Sequence, residues 1–174
     1  GPDTTLVFTT NPPVLTPPAN PTAIATSHDR ISLSWSAVQG ATRYEVERRL
    51  GEDGIFTVVV RTTTTSFLNT GLLTNRTYFY RIRAYAEITP ANVYSDFSAI
   101  VSATPRLSTP TGLKANKITA TSAKLTWGGV SGATRYEVER KIGEGGTFAL
   151  ISTVSRSNID VTGLTPGTTY YYRV

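Results

Sequence analysis

The chain has 174 residues, enough for one large domain or two small ones. With no Cys it can form no disulfide, no thiol nucleophile and no cysteine zinc site. Only 17% of residues are charged, the net charge of +5 permits no more than weak attraction to anionic surfaces, and no apolar run is long enough to span a membrane as a helix.

Taken in order, Gly1-Pro2 reads as a protease scar and is set apart from the fold. Thr4–Thr10, "TTLVFTT", has strand character. In "ISLSW", Ile31, Leu33 and Trp35 point one way and Ser32 and Ser34 the other. In "RYEVER", Tyr44 and Val46 alternate with Arg43, Glu45 and Glu47. "GEDG" supplies a hairpin turn. In "YFYRIRAY", Tyr78, Tyr80 and Ile82 alternate with Phe79, Arg81 and Arg83. "YSDFSAIVSATP" reads as one more strand, followed by the short, Pro-bounded linker "TPRLSTP". Such alternation predicts strands with one face in a core and the other in water, and no stretch has helical periodicity.

The same order then returns. "GATRYEVER" occupies Gly40–Arg48 and again Gly132–Arg140, an offset of 92 residues. At that offset Trp35 maps to Trp127, Phe56 to Phe148, Leu72 to Leu164 and Tyr78 to Tyr170. A repeat of this length means tandem domains, each with its own core. The expected fold is all-β: residues 1–16 as an N-terminal segment, 17–105 as the first domain and 106–174 as a second, truncated one. The expected core comprises Trp35, Tyr44, Tyr78 and Tyr80 in the first copy and Trp127, Tyr136, Tyr170 and Tyr172 in the second. Trp35 is expected between the sheets beside Tyr44 and Tyr80.

Reactive groups are sparse. The sole His, His28, sits in the turn "TSHDR", where a solvated turn residue is the simplest reading and metal ligation or triad catalysis would need partners. Glu52 and Asp53 offer too few oxygens for calcium. Arg48, Arg49, Arg140 and Lys141 are the best basic cluster, short of the basic stripe that nucleic-acid binding requires. No catalytic residue, metal site or cofactor is expected, and the chain is not read as an enzyme. Asn75-Arg76-Thr77 is a glycosylation sequon.

The order Pro-x-x-Ile/Leu, a strand ending in Trp, then Tyr-x-Val, then "GLTPGTTYYYRV" resembles the fibronectin type III family. The resemblance, closest to bacterial members, covers residues from about 17 onward and implies tandem immunoglobulin-like sandwiches. It implies that Trp35 and Trp127 are core residues and that Tyr78 and Tyr170 are corner tyrosines whose hydroxyls bond back to nearby backbone. It also makes Arg81 and Arg83 cross-strand partners of Glu45 and Glu47 on an outward face. Where the second copy has Thr165-Pro166-Gly167 the first has Leu73-Thr74-Asn75, which reads as a looser turn. The Arg-Gly-Asp tripeptide of integrin-binding relatives occurs nowhere.

Three readings of function remain. The first is a non-catalytic spacer of a larger extracellular or cell-surface protein, presenting neighbouring domains. The second is a polysaccharide or cell-surface binding module, with Tyr85, Tyr94 and Phe97 as the contact aromatics. The third is self-assembly. Val174 aligns with Ile82, so the second copy reads as lacking the end of its sixth strand and all of its seventh. Leu6, Val7 and Phe8 resemble that missing strand and could be donated to another copy. Neither nucleic acid nor membrane insertion is expected.

Overall fold

The computed structural model describes residues 5–7 and 11–174. Two compact units divide between Arg106 and Leu107, so Arg106 belongs to the first.

In the first unit, one antiparallel sheet runs in the order β1 (Thr22–Ser27), β2 (Arg30–Ser34), β5 (Ser66–Asn69). The other runs β4 (Thr57–Thr62), β3 (Arg43–Leu50), β6 (Tyr78–Ala86), β7 (Val93–Tyr94), and β8 (Val101–Ala103) also pairs with β6. The expected alternation sends Ile31, Leu33, Val46, Tyr80 and Ile82 into one fully enclosed cluster. Trp35 lies in that cluster with Tyr44 and Tyr80, its ring edge-to-face with Tyr44 at 5.6 Å. The Tyr44 hydroxyl accepts the Val38 N–H at 2.9 Å, which lets a polar atom sit at the core without being orphaned. Tyr78 closes its corner by accepting the Leu73 N–H at 2.9 Å.

The second unit repeats the plan with fewer strands. One sheet is β9 (Lys114–Asn116), β10 (Ser122–Thr126), β13 (Asn158–Thr162). The other is β12 (Ala149–Val154), β11 (Tyr136–Ile142), β14 (Tyr170–Arg173). Trp127 and Tyr136 reproduce the first pair, again at 5.6 Å, and Val130 N–H donates to the Tyr136 hydroxyl at 2.8 Å. In both β3–β4 and β11–β12 hairpins a glycine is obligatory. A Cβ on Gly54 or Gly146 would strike the carbonyl oxygen of Leu50 or Ile142.

Several expectations are corrected here. Tyr170 and Tyr172 are half-buried rather than fully enclosed, because among the described residues β14 pairs with β11 alone and no counterpart of β8 covers it. Tyr172 still packs against the second cluster, whereas Tyr170 makes a corner bond with the Thr165 N–H at 2.9 Å. The turn at Leu73-Thr74-Asn75 is not looser than its counterpart: Asn75 takes φ +59° where Gly167 takes +71°, the same left-handed backbone. Among residues expected as a strand ahead of the first domain, Leu6 and Val7 lie in no strand and are exposed, while Phe8 lies outside the described residues.

Candidate functional site: the arginine and aromatic stack

The outward face of the β4-β3-β6-β7 sheet concentrates the chain's charge. Register places Glu45 opposite both Arg83 on β6 and Arg61 on β4, and Glu47 opposite Arg81. The ion pairs follow that register. Glu45 Oε1 takes the Arg83 Nε–H and an Nη2–H, with the Nη2 contact at 2.6 Å, and Oε2 takes the same two groups of Arg61, again 2.6 Å at Nη2. Glu47 Oε2 takes Arg81 in the same way. The cross-strand pairing expected from the resemblance is thus present, but the face is not in water. Glu45 is 0% exposed and Glu47 9%.

The cover is a stack of alternating rings and guanidinium groups. Tyr94 is stacked on Tyr85 at 5.1 Å and has Arg83 4.2 Å from its centroid. Phe97 has Arg81 at 3.9 Å and Arg83 at 4.9 Å. Phe56 has Arg81 at 4.4 Å and Arg49 at 5.0 Å, and Arg49 reaches Phe79 at 4.8 Å. Each such contact is worth about 0.5–1 kcal/mol at an exposed site. The carboxylates below fix where each guanidinium sits, and the rings above shield the ion pairs from water.

This arrangement corrects one of the three expected contact aromatics. Tyr85 is buried, 3% exposed, and burial pushes its phenol up. Tyr94 is exposed and Phe97 half-buried, but both carry guanidinium groups on their rings. Arg83 is thus held against Tyr94, and Arg81 against Phe97, within the domain. Sequence reading found Arg81, Arg83 and the three aromatics but missed Arg61, Phe56 and Phe79. The pattern aromatic-Ser-x-aromatic-Ser in "YSDFS", opposite alternate arginines in "RIRAY", marks only the residues found, and no local pattern marks Arg61, Phe56 or Phe79.

Elsewhere, a second polar cluster ties the sheets together. Asn69 Oδ1 accepts from the Tyr80 hydroxyl at 2.9 Å and from Arg48 Nη1 at 3.0 Å. His28 lies half-buried, 3.9 Å from the Asp29 carboxylate, whose pKa is lowered chiefly by the Ser27 hydroxyl. Glu52 and Asp53 stand exposed at the hairpin tip, and no group of three His, Cys, Asp or Glu residues suited to a metal occurs among the described residues. Asn75 of the sequon is exposed, with the Thr77 hydroxyl 2.8 Å from that of Thr104.

In the second unit the stack is shorter. Arg173 lies over Phe148 at 4.4 Å and pairs with Glu139, and Lys141 lies over Phe148 and Tyr171 at 5.5 and 4.7 Å. A concavity of about 630 Å³ is lined by Tyr136, Glu137 and Glu139 of β11, Thr153 of β12 and Arg173 of β14 among others.

A family model described as "Fibronectin type III domain" matches residues 16–96 and 108–174. Exoglucanase B of Cellulomonas fimi is 32% identical across 99% of this chain, and Endoglucanase B of the same organism is 32% identical across 88%. The chain spans only 17% and 16% of those relatives' lengths. Exochitinase 1 of Streptomyces olivaceoviridis is 44% identical over 33% of the chain, which spans 8% of that protein. Among solved structures, a two-domain fibronectin type III segment of chicken tenascin superposes with a TM-score of 0.59, covering 88% of this chain and 86% of that one at 22% identity.

Proposed function

Because this chain belongs to the fibronectin type III domain family, with two copies in tandem, we propose that it is a non-catalytic spacer of a larger secreted bacterial polysaccharide-degrading protein. The observation that carries this reading is the stack on the first unit. The side chains most suited to grip a ligand, Arg61, Arg81, Arg83, Tyr94 and Phe97, are engaged with one another and with Glu45 and Glu47. Support also comes from the relatives, whose names describe glucanases and a chitinase and of which a segment like this is a small part. In that setting the module's task is to hold working domains apart outside the cell.

The test has two arms. Purified chain should release no sugar from soluble cello- or chito-oligosaccharides and should not be retained on insoluble cellulose or chitin. In a parent enzyme, replacing the two modules by a flexible Gly/Ser linker should leave hydrolysis of soluble substrate unchanged and slow attack on the insoluble polymer. Retention of the isolated chain on cellulose, abolished by Tyr94→Ala, would replace the spacer with a binding module.

A second reading is favoured by β14, whose outer edge pairs with no strand among the described residues, and by Leu6 and Val7, exposed at 84% and 82%. An open edge is a template for another strand, and a second copy could supply one. Light scattering decides it. A full chain that stays monomeric at high concentration, or oligomers unchanged by deleting residues 1–11, removes this reading.

A further inference from the structure

The final strand of the first unit is attached in an unusual way. β7 pairs with β6 only at Tyr85↔Tyr94 and Ala86↔Val93, and β8 only along Tyr78–Tyr80. The residues between, 95–100, belong to no strand. Alongside them the N–H groups of Ile82 and Ala84 point outward from β6, buried, and must find acceptors. In a regular ladder those would be backbone carbonyls. Here Ile82 N–H donates to Ser98 Oγ at 3.1 Å and Ala84 N–H to Ser95 Oγ at 2.9 Å. Each serine completes an exchange by donating its own N–H back, Ser98 to the Ile82 carbonyl at 2.7 Å and Ser95 to the Ala84 carbonyl at 2.9 Å. The hydroxyl protons turn aside to the carbonyls of Ala99 and Asp96. Both serines are buried.

The residues preceding each serine do the complementary work. Tyr94 and Phe97 lay their rings on Arg83 and Arg81, which Glu45 and Glu47 of β3 hold in place. Serine hydroxyls therefore hold the segment edge-on to β6, and aromatic rings hold it face-on to the sheet.

We propose that Tyr94–Ser98 is a latch, which opens as a unit ahead of the core and bares the edge of β6. The reasoning rests on what opening would break. It separates two serine exchanges and the Tyr94 and Phe97 contacts, yet leaves Ile31, Leu33, Trp35, Val46 and Tyr80 enclosed by the remaining strands. Local opening of a segment with few enclosed apolar contacts lies at the low end of a protein's opening free energies. Once open, the edge displays the donors and acceptors of Ile82 and Ala84.

Native-state amide exchange on the full chain, followed by NMR across low denaturant concentrations, tests this. Ile82 and Ala84 should exchange faster than the amides of β3 and with weak denaturant dependence. Phe97→Ala should speed Ile82 and Ala84 about tenfold, the loss of one or two ring contacts. Ile31→Val, a core change that latch opening leaves buried, should speed the β3 amides and leave Ile82 and Ala84 unchanged. If Ile82 and Ala84 share the denaturant dependence of β3, or if Ile31→Val accelerates all of them alike, the strand leaves only with the whole domain and there is no latch.

Discussion

Glu45 and Glu137 occupy the same place in the two repeats, in the same "TRYEVER" string, yet live in different surroundings. Glu45 is wholly enclosed, with an arginine on each oxygen. Glu137 is exposed, across from Thr153 on β12 where Glu45 faces Arg61, and forms no ion pair among the described residues. A local string therefore sets the strand and its alternation, while residues on the adjoining strands decide whether a carboxylate is solvated or locked. The core shows the same division. Trp-Tyr pairs are duplicated almost to the degree, at 62° and 64°, whereas Tyr78 and Tyr80 are buried and their counterparts Tyr170 and Tyr172 half-buried.

The harshest test of this comparison removes each tryptophan. Trp35→Ala and Trp127→Ala should each cost about 3–5 kcal/mol, the range for truncating a large buried aromatic. Small domains hold only about 5–15 kcal/mol in total, so each change should lower the folding transition of its own unit steeply and leave a unit at the low end of that range largely unfolded. The remaining tryptophan reports the other unit, whose denaturant midpoint should not move. A variant that keeps its own unit's transition within a few degrees would show that the indole is not a core element there.

Next in size is the carboxylate pair. Glu45→Ala should cost about 2–3 kcal/mol by stripping charged hydrogen bonds from two arginines. The figure stays below that for an isolated buried charge because Arg61 and Arg83 can rehydrate: their side chains are 54% and 29% exposed. Glu137→Ala should stay within about 0.5 kcal/mol, as an exposed change away from special features does. Urea melts of both variants give the comparison directly, and equal losses would mean the enclosed network contributes nothing beyond a surface ion pair.

A smaller contrast involves one hydroxyl. Tyr80 donates to Asn69, but position 161 is Val, and the hydroxyl of Tyr172 is buried with no partner among the described residues. Tyr80→Phe should cost about 1 kcal/mol, whereas Tyr172→Phe should be neutral or stabilising because it removes an unsatisfied donor. Burial also drives the Tyr80 pKa well above its ordinary value. In the unfolded chain that phenol ionises near pH 10, while in the folded unit it stays protonated. The unfolded state then binds fewer protons, so the first unit should hold its stability below about pH 10 and lose it progressively above. Thermal melts of wild type and Tyr80→Phe between pH 9 and 11 check this: the variant should lose less, and parallel losses would assign the alkaline sensitivity to other groups.

How much of this could be read from sequence depended on distance along the chain. Strand alternation in "ISLSW" and "RYEVER", the tandem repeat and the Trp-Tyr cores follow from spacing within a few residues or from a recurring string. The stack does not, because Phe56 reaches it from the loop before β4, Arg61 from β4 and Phe79 from β6, and only the register of β3 against β4 and β6 brings those strands together. Tyr85 misled for a related reason. Its place beside a loop suggested exposure, but cross-strand pairing with Tyr94 encloses it. The serines of "YSDFS" were legible as residues and not as acceptors, since a hydroxyl standing in for a carbonyl depends on the strand breaking between β7 and β8.

The finest contrast is between Asn75 and Gly167, which hold one left-handed turn with two residue types. Nothing lies within 4 Å of a Cβ built on Gly167, so any substitution there meets only backbone strain. Left-handed backbone costs an ordinary L-residue about 1–2 kcal/mol, and less for Asn, whose short amide bonds locally. Gly167→Ala should therefore cost about 1 kcal/mol and Gly167→Asn a few tenths. In the first unit, Asn75→Ala should lose about as much as Gly167→Ala does, and Asn75→Gly should restore most of it. The Asn75 N–H bond to the Pro105 carbonyl, 2.8 Å, survives all of these changes because it is made by backbone. Differential scanning of the four variants would resolve shifts of this size. If Asn75→Ala melts with wild type, the turn does not hold φ near +59° in solution, and the asparagine would be there for its side chain rather than its backbone.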